Sequence, residues 1–200
     1  MNILWITKLI DESCHKTSEF EMSEKLRKKG QKYLIETVAD IVTKQKDILC
    51  IIGGSGPIRK QLHTKIKKSV LKKNIHLCGY ILNEKIAYYI NAADIFVLPS
   101  LSEGNPMVIF EFLGIGLPFI GTMVGGNSEI ITSEEYGLLV DPTNSDQLAN
   151  KIIIALNCNW NHEKIMEYGQ QFTWQKIALR TIDVYKKIIN FQSDFSLENI

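Results

Sequence analysis

The chain has 200 residues, of which 45% are hydrophobic and 22% are charged, and its formal net charge is +1. This size and hydrophobic content suffice for one well-packed domain. The balance of charges excludes an electrostatic case for nucleic acid binding, which usually leaves a clear cationic excess. The longest apolar runs, such as Ile95–Leu98, are far shorter than the ~20 residues that cross a bilayer, so no membrane span is predicted.

The cysteines indicate the compartment. Cys14, Cys50, Cys78 and Cys158 are scattered and form no CxxC pair. This spacing argues against a disulfide framework or a zinc site and favours reduced, buried thiols. The four histidines share no metal-ligand spacing either. We therefore expect a cytoplasmic protein without a bound metal.

In chain order, the segment Asn2–Thr7 is typical of a strand and Glu21–Lys29 of a helix. Strands are then predicted at Asp47–Ile52, Ile75–Gly79, Asp94–Pro99, Pro118–Thr122 and Gly137–Val140. Helices are predicted at Lys32–Lys46, Pro57–Lys73, Asn83–Asn91, Pro106–Ile115, Asn127–Ile131, Ser145–Asn157 (with Ser145 as N-cap) and Trp174–Asn190, whose apolar residues are expected to pack in the core. The alternation predicts an α/β fold with a mostly parallel sheet covered on both faces.

Parallel sheets of this kind bind ligands at the carboxyl ends of their strands. The run from Ser100 to Val108 follows the predicted strand Asp94–Pro99 directly. Its Gly104 lets a ligand approach the backbone, and Pro106 suits the first turn of a helix. The free N–H groups of that turn form an anion site that fits a diphosphate.

Two carboxylates flank this site. Like charges repel, so Glu103 and Glu111 are better used as hydrogen-bond acceptors than as diphosphate ligands: Glu111 for a ribose and Glu103 for a transferred sugar. The alternative is that both are ordinary solvated acids. Glu111 stands among apolar residues on a helix that is apolar nearly all round, where an unpaired carboxylate is costly without a purpose.

The run from Pro99 to Ile131, with seven residues between Glu103 and Glu111, resembles the E-x7-E region of family 4 glycosyltransferases (glycosyl transferases group 1). The segments 51–57, 77–81, 92–100 and 172–174 resemble the glycine turn, nucleobase loop, following strand and ending of that family's donor-binding domain. The match covers about residues 29–190. It implies a Rossmann-like, doubly wound domain that forms half of a two-domain GT-B fold.

The resemblance also implies roles for individual residues. The family transfers a hexosyl group from a nucleotide-diphosphate sugar with retention, without a metal or another cofactor. Lys29 matches the lysine that neutralises the leaving diphosphate, Glu111 would hold the ribose, and the backbone around Tyr80 and Ile81 would hold the base. The donor sugar and pyrophosphate would bind Glu103 and the backbone of Gly104, Asn105, Pro106, Met107 and Val108. Gly54 and Gly56 contact the ligand or simply make a tight turn.

The N-terminal part departs from the family pattern. Residues 1–29 resemble the start of an acceptor domain, 30–190 the donor domain, and 191–200 a frayed tail. The family's arginine before the lysine is here Glu24, the wrong charge. If residues 7–9 instead replace a missing strand of the donor domain and Asp11–Lys28 is an insertion, Lys8 can substitute for that arginine. That alternative predicts that Asn2–Thr7 pairs in parallel beside Asp47–Ile52.

Three functions remain open at this point. The first is a glycosyltransferase, acting alone or truncated and in need of a missing acceptor domain. The second is a donor-binding subunit of a split enzyme whose acceptor domain is another chain. The third is a non-catalytic remnant that binds nucleotide sugar or only packs against a partner. An exposed apolar surface that faces the cleft would favour the second. The lysines from Lys60 to Lys73 form a solvated helix face, with peripheral contact to an anionic membrane as the alternative.

Overall fold

The computed structural model describes residues 2–9, 29–54, 56 and 58–197, with the backbone alone at 2–9, 83 and 190–197. The predicted helix Glu21–Lys29, Glu24, Cys14 and Pro57 therefore lie outside the described residues, except for Lys29, which sits in a turn.

Six parallel strands form a single sheet across the described part of the chain. They are β1 (Asn2–Leu9), β2 (Ile48–Gly54), β3 (Ile75–Gly79), β4 (Ile95–Leu98), β5 (Phe119–Thr122) and β6 (Gly137–Val140). Their order in the sheet is β3-β2-β1-β4-β5-β6. This is the doubly wound, Rossmann-like order, so the predicted fold class is confirmed.

The strand β1 occupies the centre of that sheet. It pairs in parallel with β2, with Asn2 opposite Ile48, and with β4, where Leu4 lies opposite Ile95. The prediction that Asn2–Thr7 pairs beside Asp47–Ile52 is confirmed, and the strand continues to Leu9. The strand order reverses between β1 and β4, and a doubly wound sheet opens a ligand crevice at the carboxyl ends of the strands at that point.

Helices cover both faces of the sheet. They are α1 (Gln31–Lys44), α2 (Arg59–Lys67), α3 (Asn83–Asn91), α4 (Met107–Leu113), α5 (Asn127–Ile130), α6 (Ser145–Asn157), α7 (His162–Gly169) and α8 (Trp174–Leu197), with 3-10 turns at Val70–Lys73 and Gln170–Phe172. One hydrophobic cluster packs α1, α2 and α6 against the sheet, and a second packs α3, α4, α5 and α7.

The second cluster is centred on aromatic rings beneath α4. Phe96 of β4 stacks on Phe112 with a centroid distance of 3.6 Å, and it contacts Phe119 of β5 at 5.8 Å. All three side chains are almost completely buried. They fix the start of α4 relative to the end of β4, which is where the candidate site lies.

Several predicted boundaries were wrong, for local reasons. The helix predicted to reach Lys73 ends at Lys67, because the Ser69 hydroxyl accepts a hydrogen bond from the Leu71 N–H and caps a separate 3-10 turn. Asn144, not Ser145, caps α6, since its side chain accepts from the Gln147 N–H. The helix α7 was not predicted.

The helix α8 is the largest departure from prediction. Its apolar residues Ile177, Ile182, Val184, Tyr185 and Ile188 were expected in the core. Of these, Ile182, Val184, Tyr185 and Ile188 are exposed, as is Trp174 at 72%. Only Ile177 is half-buried among the residues of α8 whose side chains are described. The helix also extends to Leu197, past the predicted end at Asn190. An amphipathic pattern specifies that one face is apolar, but it does not say what covers that face.

The cysteines differ among themselves. Cys50 is buried in β2, and burial raises the pKa of its thiol far above the ordinary range. Cys78 is half-buried, and burial also raises its pKa. Cys158 is exposed, so the prediction of a buried thiol was wrong there. It follows α6, whose last turn lies at the protein surface.

None of the helices in the described ranges is long and apolar enough to cross a membrane.

Candidate functional site

An ion pair lies at the carboxyl end of β4. The Lys29 ammonium contacts Glu103 Oε1 at 2.7 Å, and the Ser100 hydroxyl donates to the same oxygen at 2.6 Å. The Glu103 side chain is 9% exposed and that of Lys29 is 30% exposed. The two predicted catalytic residues, 74 positions apart in sequence, are therefore in direct contact beside the crevice.

A glycine holds Lys29 in this position. Gly30 has a φ of 70° and precedes α1 as its N-cap. A Cβ added to Gly30 would lie 1.7 Å from the Pro99 carbonyl oxygen, so no other residue fits without moving the backbone. The turn at Lys29 and Gly30 is thus pressed against the end of β4, which places the lysine beside Glu103. Sequence reasoning gave Gly30 no role beyond the start of the donor domain.

A series of hydrogen bonds positions Ser100, which in turn holds Glu103. Ser100 is fully buried, and its carbonyl accepts from the Thr122 hydroxyl at the end of β5. The Thr122 carbonyl accepts in turn from Asn127 Nδ2 at 2.8 Å. Asn127 is also fully buried. These three residues were missed as positioning residues, although Ser100 and Asn127 stand in the run that carries the family resemblance. For Ser100, the signal was a polar residue directly after the predicted strand Asp94–Pro99.

Two further glycines, Gly125 and Gly126, pack against the loop that carries Glu103. The Gly126 N–H donates to the Gly104 carbonyl at 2.7 Å. Gly125 has a φ of 52°, and a Cβ there would lie 1.9 Å from the Glu103 carbonyl oxygen. Gly104 is different, because a Cβ built on it meets no heavy atom within 4 Å. Its missing side chain leaves open space beside the loop, as a close ligand approach would require.

The helix that follows starts one residue later than expected. Pro106 is the N-cap of α4, with a ψ of 99°, and not its first helical residue. Gly104, Asn105 and Met107 are exposed, and Val108 is half-buried. The first N–H groups of a helix have no intrahelical acceptor, and those of α4 follow the loop that carries Glu103.

Glu111 is exposed, so the reasoning from the cost of a buried carboxylate was wrong. Its neighbours Ile109 and Phe112 turn into the core, whereas Glu111 faces a cleft of about 660 Å³. That cleft is lined by Met107, Val108, Glu111 and Ile115 of the α4 region and by Ile86, Ala87, Ile90 and Asn91 of α3. Glu103 is not among the described residues that line it. The structure thus brings Glu111 together with Met107 and Val108, and Glu103 together with Lys29.

The remaining predicted site residues lie at the carboxyl ends of three neighbouring strands. Tyr80 and Ile81 follow β3, and Tyr80 is 52% exposed. Gly54 ends β2 with a φ of 111°, opposite Leu9 of β1, and Gly56 follows it. Lys8 is near the end of β1, where only its backbone is described. All of them are at the edge of the sheet where doubly wound folds bind ligands.

The sheet order, with the ion pair at its switch point, is that of a Rossmann-like domain. The family model described as Glycosyl transferases group 1 matches residues 20–172. The chain belongs to the glycosyl transferases group 1 family, as its sequence resemblance predicted. An uncharacterized glycosyltransferase of Methanocaldococcus jannaschii is 31% identical over 168 residues, which are 80% of this chain and 45% of the relative.

Solved structures agree with this assignment. Sucrose-phosphate synthase of Thermosynechococcus elongatus has a TM-score of 0.74 at 25% identity, over 94% of this chain and 46% of that one. The C-terminal domain of a group 1 glycosyl transferase of Francisella tularensis has a TM-score of 0.66 at 26% identity, over 84% of this chain and 82% of that domain. HepE of Anabaena, solved in complex with UDP, shares the fold at 21% identity and a TM-score of 0.68, over 96% of this chain and 48% of that one.

The chain spans less than half the length of the first curated relatives it matches. It spans most of the isolated C-terminal domain from Francisella tularensis. The fold is therefore that of one half of a GT-B glycosyltransferase.

Proposed function

We propose that this chain binds the nucleotide-diphosphate sugar donor of a retaining, metal-independent glycosyltransferase and supplies the donor half of its active site. The observation that carries the proposal is the Lys29–Glu103 ion pair at the switch point of the sheet. Lys29 and Glu103 are held there by two means. Neighbouring glycines, where a side chain would not fit, pack closely against the backbone, and the Ser100 hydroxyl donates a hydrogen bond to Glu103. A purely structural ion pair does not need an open, side-chain-free approach such as the one at Gly104.

Glu103 and Lys29 have complementary roles in this proposal. Both observed hydrogen bonds end on Glu103 Oε1, so neither occupies Oε2, which can accept from a hydroxyl of the transferred sugar. The Lys29 ammonium has three donors, so it can hold Glu103 and still donate to the diphosphate. Its positive charge stabilises the negative charge that develops on the leaving phosphate.

The nucleotide part fits the cleft between α3 and α4. Glu111 is exposed at its wall, where its carboxylate can accept from both ribose hydroxyls. Met107 and Val108 line the same cleft, at the start of α4 where the diphosphate would lie. Tyr80 and Ile81 stand at the loop before α3 and would contact the base through their backbone.

Transfer with retention then needs no metal in this proposal. The leaving phosphate accepts the proton of the acceptor hydroxyl, and the lysine neutralises the separated charge. Lys8, at the end of the strand beside β4, is the proposed second cation in place of the family's arginine. We propose that the acceptor sugar or lipid binds to a domain that this chain does not supply.

A specific observation favours a donor-binding subunit of a split enzyme as the second candidate function. The apolar face of α8 is exposed along the helix, at Trp174, Ile182, Tyr185 and Ile188. Monomeric proteins rarely leave a contiguous face of that kind uncovered. A separate acceptor domain is a partner that would cover it.

The proposal is tested by calorimetry with UDP-, GDP- and ADP-sugars and with the free nucleotides. We expect one nucleotide series to bind, and Glu111→Ala to weaken the sugar nucleotide and the free nucleotide alike by at least about tenfold, because each loses hydrogen bonds to a charged group. Glu103→Gln should weaken the sugar nucleotide by about tenfold and leave the free nucleotide nearly unchanged.

Glu163→Ala on α7 is the matched control, since it removes an exposed glutamate that is not among the described residues lining the cleft beside Glu111. It should bind like the wild type. Failure of every nucleotide sugar to bind would exclude both candidate functions. Binding that is equally insensitive to changes at Glu103 and Glu111 would place the donor elsewhere.

A further inference from the structure

A strongly basic segment lies beside the edge strand β3 of the sheet. Residues 59–73 contain seven lysines and arginines and no acidic residue, in a chain whose net charge is only +1. They form α2 and the 3-10 turn Val70–Lys73, beside the edge strand β3. Glu36 of α1, which neighbours this segment, pairs with Lys65 at 3.5 Å. The other cations of the segment are exposed.

Part of this segment forms a cleft. A cavity of about 330 Å³ lies between α2, the 3-10 turn and β3. It is lined by five basic or imidazole side chains over an apolar floor of Ile66, Ile75 and Leu77: Arg59, His63, Lys67, Lys72 and His76. No carboxylate is among the described residues that line it. Such a lining favours an anion, because its cationic donors have no carboxylate among the described lining residues to neutralise them.

An exposed valine stands at the rim of this basic surface. Val70 is 88% exposed, between the pairs Lys67-Lys68 and Lys72-Lys73. The turn that carries it is firmly anchored, since Leu71 is buried and the Ser69 hydroxyl donates to the Ile66 carbonyl. Val70 is thus held outward among cations by the fold. Water is a poor solvent for this side chain, whereas the headgroup region of a bilayer accepts it.

We propose that this edge of the domain docks on an anionic phospholipid surface. The cleft receives the phosphate of a lipid headgroup through Arg59, Lys67 and Lys72, and Val70 enters the interfacial layer. Lysines near an anionic leaflet each strengthen binding severalfold, and a single apolar side chain adds to this. Nucleic acid is disfavoured as the occupant because no Phe, Tyr or Trp is among the described residues that line the cleft, and single strands need such rings to stack on.

The test is sedimentation of the purified chain with phosphatidylcholine vesicles that contain phosphatidylglycerol, beside vesicles of phosphatidylcholine alone. We expect binding to the anionic vesicles only, weakened by added salt. Lys67→Gln with Lys72→Gln should reduce it by about twenty-fivefold, at about fivefold per cation. Val70→Ser should reduce it by up to about tenfold without changing the charge.

Lys186→Gln with Lys187→Gln on α8 is the control, because it removes the same charge from another exposed surface. It should bind like the wild type, and all variants should keep the wild-type melting temperature. Equal binding to neutral vesicles, or a larger loss in the α8 control than in the cleft variant, overturns the proposal. So does binding of glycerol phosphate or single-stranded RNA to the cleft without any binding of vesicles. Binding of nucleotide sugars by the cleft variant should stay unchanged, so this result is independent of the donor site.

Discussion

The loop after β4 and the helix α8 are opposite cases in one chain. In the loop, Glu103 is 9% exposed and is held by Lys29 and Ser100, each supplied by the chain itself. In α8, by contrast, a regular apolar pattern does not lead to burial, since Trp174 is 72% exposed. The difference shows that the sequence pattern of an element specifies on which face a residue lies. Whether that face is buried depends on which other part of the molecule packs against it.

The largest effect expected from this contrast is in stability. Phe96→Ala removes a ring stacked on Phe112 in the core and should lower the free energy of unfolding by about 3–5 kcal/mol. Ile182→Ala on α8 should change it by less than about 0.5 kcal/mol, because that side chain is exposed. Urea unfolding followed by circular dichroism measures both. A loss above 2 kcal/mol for Ile182→Ala would mean that α8 packs against the domain in solution.

A second pair of changes separates glycines needed by the fold from one needed by the ligand. Gly30→Ala forces a Cβ onto the Pro99 carbonyl at a φ of 70° and should cost about 3 kcal/mol or more in unfolding free energy. Gly104→Ala meets open space and should leave stability within about 0.5 kcal/mol.

Under the proposed function, Gly104→Ala should nevertheless weaken nucleotide-sugar binding by about tenfold or more, since its methyl group stands where the ligand approaches. Thermal melting and calorimetry on the same samples provide the comparison. An alanine at position 104 that binds donor as well as glycine would show that the loop does not contact the ligand.

The last comparison needs no substitution. Cys158 is exposed and should react with a thiol reagent at once, whereas Cys50 is buried in β2 with a raised pKa and should react at least about a hundredfold more slowly. Mass spectrometry of labelled peptides gives the two rates. Comparable rates would indicate that the central sheet opens far more often than its packing suggests.

Much of the fold was predictable because local signals and burial agreed. Val38 and Ile41 of α1 are buried and were marked by their helical periodicity, whereas β4 and β5 are buried and were marked as short apolar segments. The placement of β1 beside β2 followed from the need to fill a central strand. The helix α7 and the end of α2 were missed because capping by single polar side chains, Asn161 for α7 and Ser69 for the turn after α2, decides them.

The site was only half accessible to sequence reasoning. The resemblance pointed to Lys29 and Glu103, but nothing in the sequence showed that they touch, because a contact across 74 positions depends on the strand order. Glu111 was assigned to an apolar environment since its sequence neighbours are apolar. On a helix, however, the residues three and four positions away decide the environment, and the α3 side of Glu111 is an open cleft.

The central position of β1 has a consequence for how the sheet holds together. Ile6 pairs with Ile52 on one side and with Val97 on the other. Within the sheet, β1 is therefore the strand whose backbone hydrogen bonds join the β2–β3 half to the β4–β6 half. Loss of β1 would leave β2 and β4 as two bare edges, each lined with unpaired N–H and C=O groups. Such edges recruit strands from other molecules, so weakening β1 should lead to intermolecular sheet formation rather than to simple loosening of the domain.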